Sequence, residues 1–168
     1  ELALKKDPNY APAYAGIAMV QMWFQSAGYT APRDAGPKAK AAALKAVELD
    51  NTLPQAHSTL AGVYCFNEWD WAGAEAEFKR AIELNPNYPD ARALYSQYLM
   101  IMKRPEEAMA QIQRALELDP VNAFFPAVHA SDLEFAGRHD EAIVQFRKAL
   151  RASPDLPFAH WLLTGIFF

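Results

Sequence analysis

The helical pattern of this chain is clearest in the stretch Ala108-Met109-Ala110-Gln111-Ile112-Gln113-Arg114-Ala115-Leu116-Glu117-Leu118-Asp119-Pro120. Its apolar residues recur at the spacing of one helical face: Ala108, Ile112, Ala115 and Leu118. The alanines let a neighbouring helix approach closely. Pro120 ends the pattern, because proline lacks the amide proton and clashes with the carbonyl group four residues earlier. The stretch therefore predicts a helix with one buried face that stops at Asp119-Pro120.

The same helix ending recurs along the chain, at Lys6-Asp7-Pro8, Leu49-Asp50-Asn51, Leu84-Asn85-Pro86, Leu118-Asp119-Pro120 and Ala152-Ser153-Pro154. The last two intervals are both 34 residues, the one before them is 35 and the first is 43. Equivalent apolar faces precede three of the other endings, formed by Ala39, Ala43, Ala46 and Leu49; Ala74, Phe78, Ala81 and Leu84; and Ala142, Phe146 and Ala149. The chain is therefore a repeat with a basic period of 34 residues.

A second apolar stripe follows each ending, formed by Tyr14, Ile17 and Ala18; Leu60, Ala61 and Tyr64; Tyr95, Ser96 and Leu99; Ala130 and Leu133; and Leu163, Thr164 and Phe167. Turn signals separate the two stripes at residues 103–107 and 137–141, each with an acidic pair that suits the first turn of a helix. Each unit is therefore expected to be a hairpin of two helices.

At these residues the sequence resembles the tetratricopeptide repeat family, whose pattern runs W-x2-L-G-x2-Y, then A-x3-F, then P. The resemblance implies an all-α, right-handed superhelical solenoid of antiparallel helix hairpins that serves as a protein-interaction scaffold. We expect a single array over residues 1–168: the end of a preceding helix at 1–8, repeats at 9–51, 52–86, 87–120 and 121–154, and the first helix of a truncated fifth repeat at 155–168.

Two repeats are irregular. The first carries nine extra residues at 26–37, where glycine and proline are expected to interrupt the helix. The second carries one extra residue near Trp69-Asp70-Trp71. We favour a packing role for Trp69 or Trp71 at the hairpin turn over an exposed anchor for a partner.

The run Trp69-Asp70-Trp71, together with the Ala-Gly-Ala-Glu that follows it, resembles a subgroup of bacterial multidomain regulators, and the resemblance is specific to residues 28–87. In that subgroup a winged-helix DNA-binding domain, a serine/threonine kinase or a nucleotide cyclase precedes the repeats. The resemblance implies a docking or sensory module of a larger signalling protein.

Composition narrows the function further. The formal net charge of −4 argues against nucleic acid as a partner. No apolar stretch approaches the roughly 20 residues needed to span a bilayer, so no membrane contact is expected of this segment. The single cysteine, Cys65, favours a reducing compartment, so we expect a cytoplasmic location, although the parent protein could be membrane-anchored. The chain begins in mid-helix and ends on an apolar run, which suggests a piece of something longer.

No catalytic constellation is recognisable. The four histidines, His57, His129, His139 and His160, lie in different repeats, and Cys65 has no partner at metal-ligand spacing. His57 and His160 are expected to have packed structural roles. The sequence contains neither a G-x-S-x-G elbow nor a phosphate-binding glycine loop. We therefore predict a protein that is not an enzyme and needs no cofactor and no metal.

The resemblance also implies a concave binding face, lined by residues at fixed distances after each helix ending. Its large members are Met19, Met22, Trp23, Phe66, Gln97, Met100, Ile101 and Phe135. Methionine and aromatic side chains suit an adaptable groove for a protein segment, peptide or helix. Two alternatives stay open: these residues pack inside the inner curve, or they enclose a small apolar molecule in a pocket near Trp23, Phe66 and Tyr29.

One known use of the family is a carboxylate clamp for the acidic tails of chaperones. The clamp needs cationic and amide side chains. The corresponding positions here hold Ala15, Met19, Thr59, Asp90 and Leu94. With no cation among them, the chain is not expected to bind such a tail.

The apolar C-terminal residues generate a prediction about association. The stretch 160–168 carries no Asp, Glu, Lys or Arg, and its large apolar side chains would leave water if two copies joined. We expect homo-oligomer contacts through Trp161, Phe167 and Phe168. Sedimentation across a concentration range checks this expectation, and a strict monomer at high micromolar concentration would contradict it.

Overall fold

The computed structural model describes residues 2–26, 28–156 and 159, which are predominantly helical and contain no strand. The helices are α1 (Leu2–Lys6), α2 (Ala11–Ser26), α3 (Pro32–Leu49), α4 (Pro54–Val63), α5 (Trp71–Leu84), α6 (Pro89–Ile101), α7 (Pro105–Leu118), α8 (Phe124–Phe135) and α9 (His139–Ala152). A π-helical turn, Tyr64–Glu68, continues α4. The predicted all-α helical-repeat class is confirmed for the described residues.

The chain divides into two compact units, residues 1–91 and 92–168. In the first unit α2 packs against α3, and α4 packs against α5, while α4 also contacts α2 and α3. In the second unit α8 packs against both α7 and α9. Both units are therefore built from paired, neighbouring helices.

Small residues form the centre of the first unit. Residues from α2, α3 and α4 make one buried cluster, consisting of Ala18, Ala39, Ala42, Ala43, Leu60 and Val63. A second cluster joins Ala15, Ala46 and Ala56. The alanines in these clusters let the helices lie close together.

The second unit mixes alanine with larger apolar residues. One cluster contains Ala93, Ile112, Ala115, Phe125 and Val128. Another contains Ala127, Ala130, Leu133, Ala142, Phe146, Ala149 and Ala159. The predicted burial of Ala74, Ala81, Ala108 and Ala115 is confirmed, because all four have no exposed surface.

Left-handed residues close the hairpin turns in both units. Gly28, Trp69, Lys103 and Gly137 have φ values of 76°, 56°, 57° and 74°. At three turns the next amide reaches back to a carbonyl group five residues earlier: Tyr29 to Phe24 at 2.8 Å, Arg104 to Leu99 at 2.9 Å, and Arg138 to Leu133 at 2.8 Å. This pattern is the Schellman motif, which favours glycine at the left-handed position.

The extra residue of the second repeat is accommodated by the π-helical turn. Here the Asp70 amide reaches back six residues, to the Tyr64 carbonyl oxygen at 3.0 Å. One additional residue therefore fits before the turn without breaking the helix, as π-bulges allow. Asp70 then caps α5, and its Oδ1 accepts a hydrogen bond from the Gly73 amide at 3.0 Å.

The expectation that glycine and proline would interrupt the first repeat is wrong for Gly36 and Pro37, which lie inside α3. Pro37 lacks the amide that would donate to the Arg33 carbonyl, but Arg33 lies in the exposed first turn, where water can replace that bond. Helices α2 and α3 have 16 and 18 residues, against 13 and 14 in α6 and α7. Longer helices thus take up seven of the nine extra residues.

The favoured packing role is also wrong for Trp69. Its side chain is 72% exposed, and Trp71, the first residue of α5, is 37% exposed. The reason is the backbone, since Trp69 occupies the left-handed position that ends the π-helical turn. A side chain at this position extends into solvent instead of packing against a neighbouring helix.

The packed role expected of His57 is confirmed. The ring is 6% exposed, its Nδ1 lies 2.5 Å from Glu77 Oε2 on α5, and its Nε2 lies 2.8 Å from the Asn51 carbonyl oxygen. The side chain ties α4 to α5 and to the preceding loop. His160 lies outside the described residues.

The alanine crossings lead to a prediction about overpacking. Ala81 is completely buried on α5, whereas Ala76 of the same helix is exposed. We expect Ala81→Leu to lower the free energy of unfolding by about 1–3 kcal/mol, because the added methyl groups push neighbouring helices apart. The matched variant Ala76→Leu should be nearly neutral. Urea denaturation measures both, and equal stabilities would contradict the assigned crossing.

Candidate functional site

The first unit presents an apolar surface on α2. Met19 and Met22 are partly exposed, and Trp23 is 39% exposed. Met22 reaches across to α4, where its terminal methyl lies 2.7 Å from the position that a Cβ on Gly62 would occupy. The missing side chain at Gly62 therefore makes room for Met22.

Phe66 lies in the π-helical turn, four residues after Gly62, and is partly exposed. Four predicted groove residues, Met19, Met22, Trp23 and Phe66, thus belong to α2 and to the continuation of α4, two elements that pack together through Met22. These four side chains carry no formal charge.

A polar contact fixes the end of α2 next to the π-helical turn. Asn67 Nδ2 donates to Gln25 Oε1 at 2.6 Å, and Lys40 Nζ on α3 pairs with Glu68 Oε2 at 2.6 Å. Gly36 is buried here, and an added Cβ would lie 3.2 Å from Asn67 Nδ2. The extended first hairpin is thereby held against the second.

The other four predicted groove residues belong to α6 and α8, and lie within residues 92–168. Gln97 is partly exposed, Met100 is 9% exposed and Ile101 is 41% exposed. Phe135, the last residue of α8, is 74% exposed. Met100 is therefore mainly a packing residue in the unbound chain, while Ile101 and Phe135 are accessible at the ends of their helices.

A surface cleft of about 420 Å³ also lies in the second unit. It is formed by α7 and the turn after α8, and its lining residues are Pro105, Glu106, Met109, Ala110, Gln113, Ala136 and Arg138.

The predicted association residues Trp161, Phe167 and Phe168 lie outside the described residues. Ala159 is completely buried and joins the cluster between α8 and α9.

Comparison with known families matches two stretches of the chain to the tetratricopeptide repeat, residues 68–130 and residues 133–156. Together with the paired helices and the 34-residue period, these matches decide the family. The chain is a tetratricopeptide-repeat protein. A comparison with curated proteins gives no match.

Several solved structures share the fold of this chain. A thermophilic protein of this family from Thermus thermophilus is 19% identical, with a TM-score of 0.77 over 99% of this chain and 86% of that chain. The Pseudomonas aeruginosa pilF protein is 22% identical, with a TM-score of 0.66 over 88% and 64%. The MamA protein is 25% identical, with a TM-score of 0.57 over 90% and 77%.

Tetratricopeptide repeats form scaffolds for protein–protein interaction, and this is the class of function that the family and fold support. Among residues 2–26 and 28–156, no helix is both long and apolar enough to cross a membrane. Within that same part of the repeat protein, no group of three His, Cys, Asp or Glu side chains is arranged to hold a metal ion.

The Cys65 thiol of this tetratricopeptide-repeat protein is expected to be unreactive as a nucleophile. The thiol is 1% exposed, and burial raises its pKa to about 12. Only the thiolate is a good nucleophile, so Cys65 is a packing residue at neutral pH.

Sequence reasoning missed one unusual group, the carboxyl of Asp132 on α8. The side chain is completely buried, and neither carboxyl oxygen has a hydrogen-bond partner of good geometry in the described residues. Ser96, on α6, is the polar neighbour that favours the ionised carboxylate, but its hydroxyl donates to the Ala93 carbonyl oxygen at 2.8 Å. The sequence does contain a signal for this residue. The equivalent positions of the other repeats hold Val20, Val63 and Tyr98, so a carboxylate at this position departs from the apolar pattern.

The surroundings of Asp132 shift its proton equilibrium. Burial raises the pKa of this carboxyl from 3.8 to about 7, and Ser96 offsets only part of that effect. Between pH 3.8 and about 7, the Asp132 carboxyl is therefore protonated in the folded state, whereas it is ionised in the unfolded chain. Stability from this group is complete below pH 3.8, declines as the pH rises toward 7, and then stays low.

We expect Asp132→Asn to remove this pH dependence. A shift of this size corresponds to about 4 kcal/mol, an upper bound because structural relaxation reduces it. The variant should therefore gain stability over the parent at pH 8, and the gain should shrink toward pH 4. Chemical denaturation at both pH values measures it, with the exposed Asp155→Asn as control. If the stability difference between the variant and the parent is the same at both pH values, the raised pKa of Asp132 is contradicted.

Proposed function

We propose that this chain is the docking module of a larger bacterial regulatory protein, without catalytic activity of its own. It recognises an apolar peptide or helix of a partner protein through the predicted groove residues, those of α2 and the π-helical turn first among them. The observation that carries the proposal is the partly exposed methionine and aromatic surface of Met19, Met22, Trp23 and Phe66.

The composition of this surface indicates the chemistry of the partner. Methionine is unbranched and polarisable, so it adapts to apolar side chains of different shapes. Trp23 adds a large, rigid ring, and aromatic residues of this kind are enriched where binding energy concentrates. The partner segment should therefore insert apolar side chains, as an amphipathic helix does when it enters a groove.

An acidic tail does not fit this surface. Of the positions that correspond to a carboxylate clamp, Ala15 and Thr59 are buried and apolar or neutral, and Asp90 has the wrong charge. The groove thus offers no cation to pair with a partner's carboxylate at these positions.

The regulatory context rests on the similarity of residues 28–87 to the repeat arrays of bacterial multidomain regulators. In such proteins the repeats are joined to an effector domain, so binding of a partner can act on that domain. The alternative of a small-molecule sensor is less well supported, because Tyr29 is 80% exposed and does not enclose a ligand-sized space.

Binding by the α2 surface can be tested with charge substitutions. We expect Met22→Asp with Phe66→Asp to reduce capture of the partner from an extract of the source cells by about tenfold, because burying a carboxylate in an apolar contact is costly. Leu44→Asp is the matched control, since Leu44 is 43% exposed on α3. It should retain binding.

Met22 also contacts the core of the first unit, so a second variant protects the test from loss of folding. Trp23→Gln removes an accessible ring and should weaken binding about tenfold while thermal unfolding stays cooperative. Full binding by both variants would show that the partner uses another surface.

A further inference from the structure

The hairpin turns differ in the residue that adopts the left-handed backbone. Gly28 and Gly137 occupy this position in the first and fourth repeats, Lys103 occupies it in the third and Trp69 in the second. A left-handed backbone is strained for residues with a Cβ, most of all for bulky ones. Tryptophan is thus the least suitable of these residues for forming the turn.

Packing does not compensate for this strain. The Trp69 side chain is 72% exposed, so most of its apolar surface stays in water. Both the backbone and the side chain of Trp69 are therefore placed at a cost in folding free energy. A strained backbone at an exposed aromatic residue indicates a role in recognition.

The surroundings of Trp69 specify the charge of what it would bind. Carboxylates flank it on both sides, at Glu68 and Asp70, and no lysine or arginine occurs between Lys45 and Lys79. Six carboxylates lie in that interval. Glu48 pairs with Lys45, Glu68 with Lys40 and Glu75 with Lys79, and Glu77 lies against His57. Asp70, the next residue along the chain, is exposed, and its Oδ1 is the oxygen that caps α5. An indole face next to a carboxylate attracts a cation.

We propose that Trp69, with Asp70 and Trp71, binds an arginine side chain of a partner protein. The guanidinium group would stack on the exposed Trp69 indole and pair with the Asp70 carboxylate, whereas an ammonium group lacks the planar face for stacking. This site lies on the hairpin turn and goes beyond the apolar docking surface proposed above.

The turn is held in place before any partner arrives. Asn67 is hydrogen-bonded to Gln25, Glu68 is paired with Lys40, and Asp70 caps α5. The residues on both sides of Trp69 are therefore tied to three different helices. Binding to a fixed turn loses little conformational entropy, which favours recognition by a small number of contacts.

Nuclear magnetic resonance of the indole N–H groups tests the proposal directly. The chain has four tryptophans, and Trp69→Phe and Trp71→Phe assign the two relevant signals. The probe is an acetylated and amidated Gly-Arg-Gly-Arg-Gly peptide. Its matched control replaces both arginines by citrulline, which keeps the shape of the side chain and removes the charge.

We expect the arginine peptide to shift the Trp69 signal in a saturable way, with the citrulline peptide binding about fivefold more weakly. Raising the salt concentration should weaken the arginine peptide further, because Asp70 is exposed. Absence of a Trp69 shift at millimolar peptide, or equal affinity for the two peptides, would overturn the proposal.

A pair of glycine variants separates recognition from folding. Trp69→Gly and Lys103→Gly both relieve a left-handed residue, and each should raise the melting temperature by about 2–4 °C. Only Trp69→Gly should weaken the arginine peptide, by about tenfold as followed through the Trp71 signal. A lower melting temperature for Trp69→Gly would mean that the ring stabilises the fold, and the proposal would be wrong.

The Met22→Asp and Phe66→Asp variant distinguishes this site from the docking surface. If it loses its protein partner but keeps the Trp69 response to the arginine peptide, both proposals stand. If it keeps the protein partner, the docking surface is refuted, while the Trp69 result is judged on the peptide alone.

Discussion

Close approach of helices at alanine crossings is the constraint on which the rest of this structure depends. Ala39, Ala43 and Ala46 of α3 are completely buried, as is Ala81 of α5. Because the side chain of alanine is a single methyl group, a helix can bury such a face only if the neighbouring helix packs close to its backbone. Met22 lies over Gly62 in the same kind of close approach between helices.

This constraint also explains how much the sequence could predict. Alanines at helical spacing identify the crossings, and the acidic pairs Glu106-Glu107 and Asp140-Glu141 mark the starts of α7 and α9. Both signals are local and recur in register, so they were sufficient for the helices, while the groove positions on them stay a prediction. They contain no information about how exposed each groove residue remains, and Met100 and Phe135 differ widely in that respect.

The features that sequence reasoning missed depend on tertiary context. Pro37 reads as a helix breaker, yet it continues α3 because the bond it removes lies in an exposed turn. Asp132 reads as a solvated acid, yet its neighbours bury it without a well-placed partner. For Pro37 the expected break is avoided by its place near the start of the helix, whereas Asp132 is buried by the surrounding helices.

Variation in the hairpin turns has a different physical consequence from variation at the crossings. A larger side chain at Ala81 must displace a neighbouring helix, whereas a larger side chain at a turn projects into water and costs only local backbone strain. Gly28 and Gly137 show the unstrained solution, and Trp69 shows what the fold tolerates in its place. A repeat protein can therefore add binding chemistry at its turns without disturbing the contacts that hold the helices together. That is why an exposed, strained tryptophan indicates function here, while an exposed leucine such as Leu44 does not.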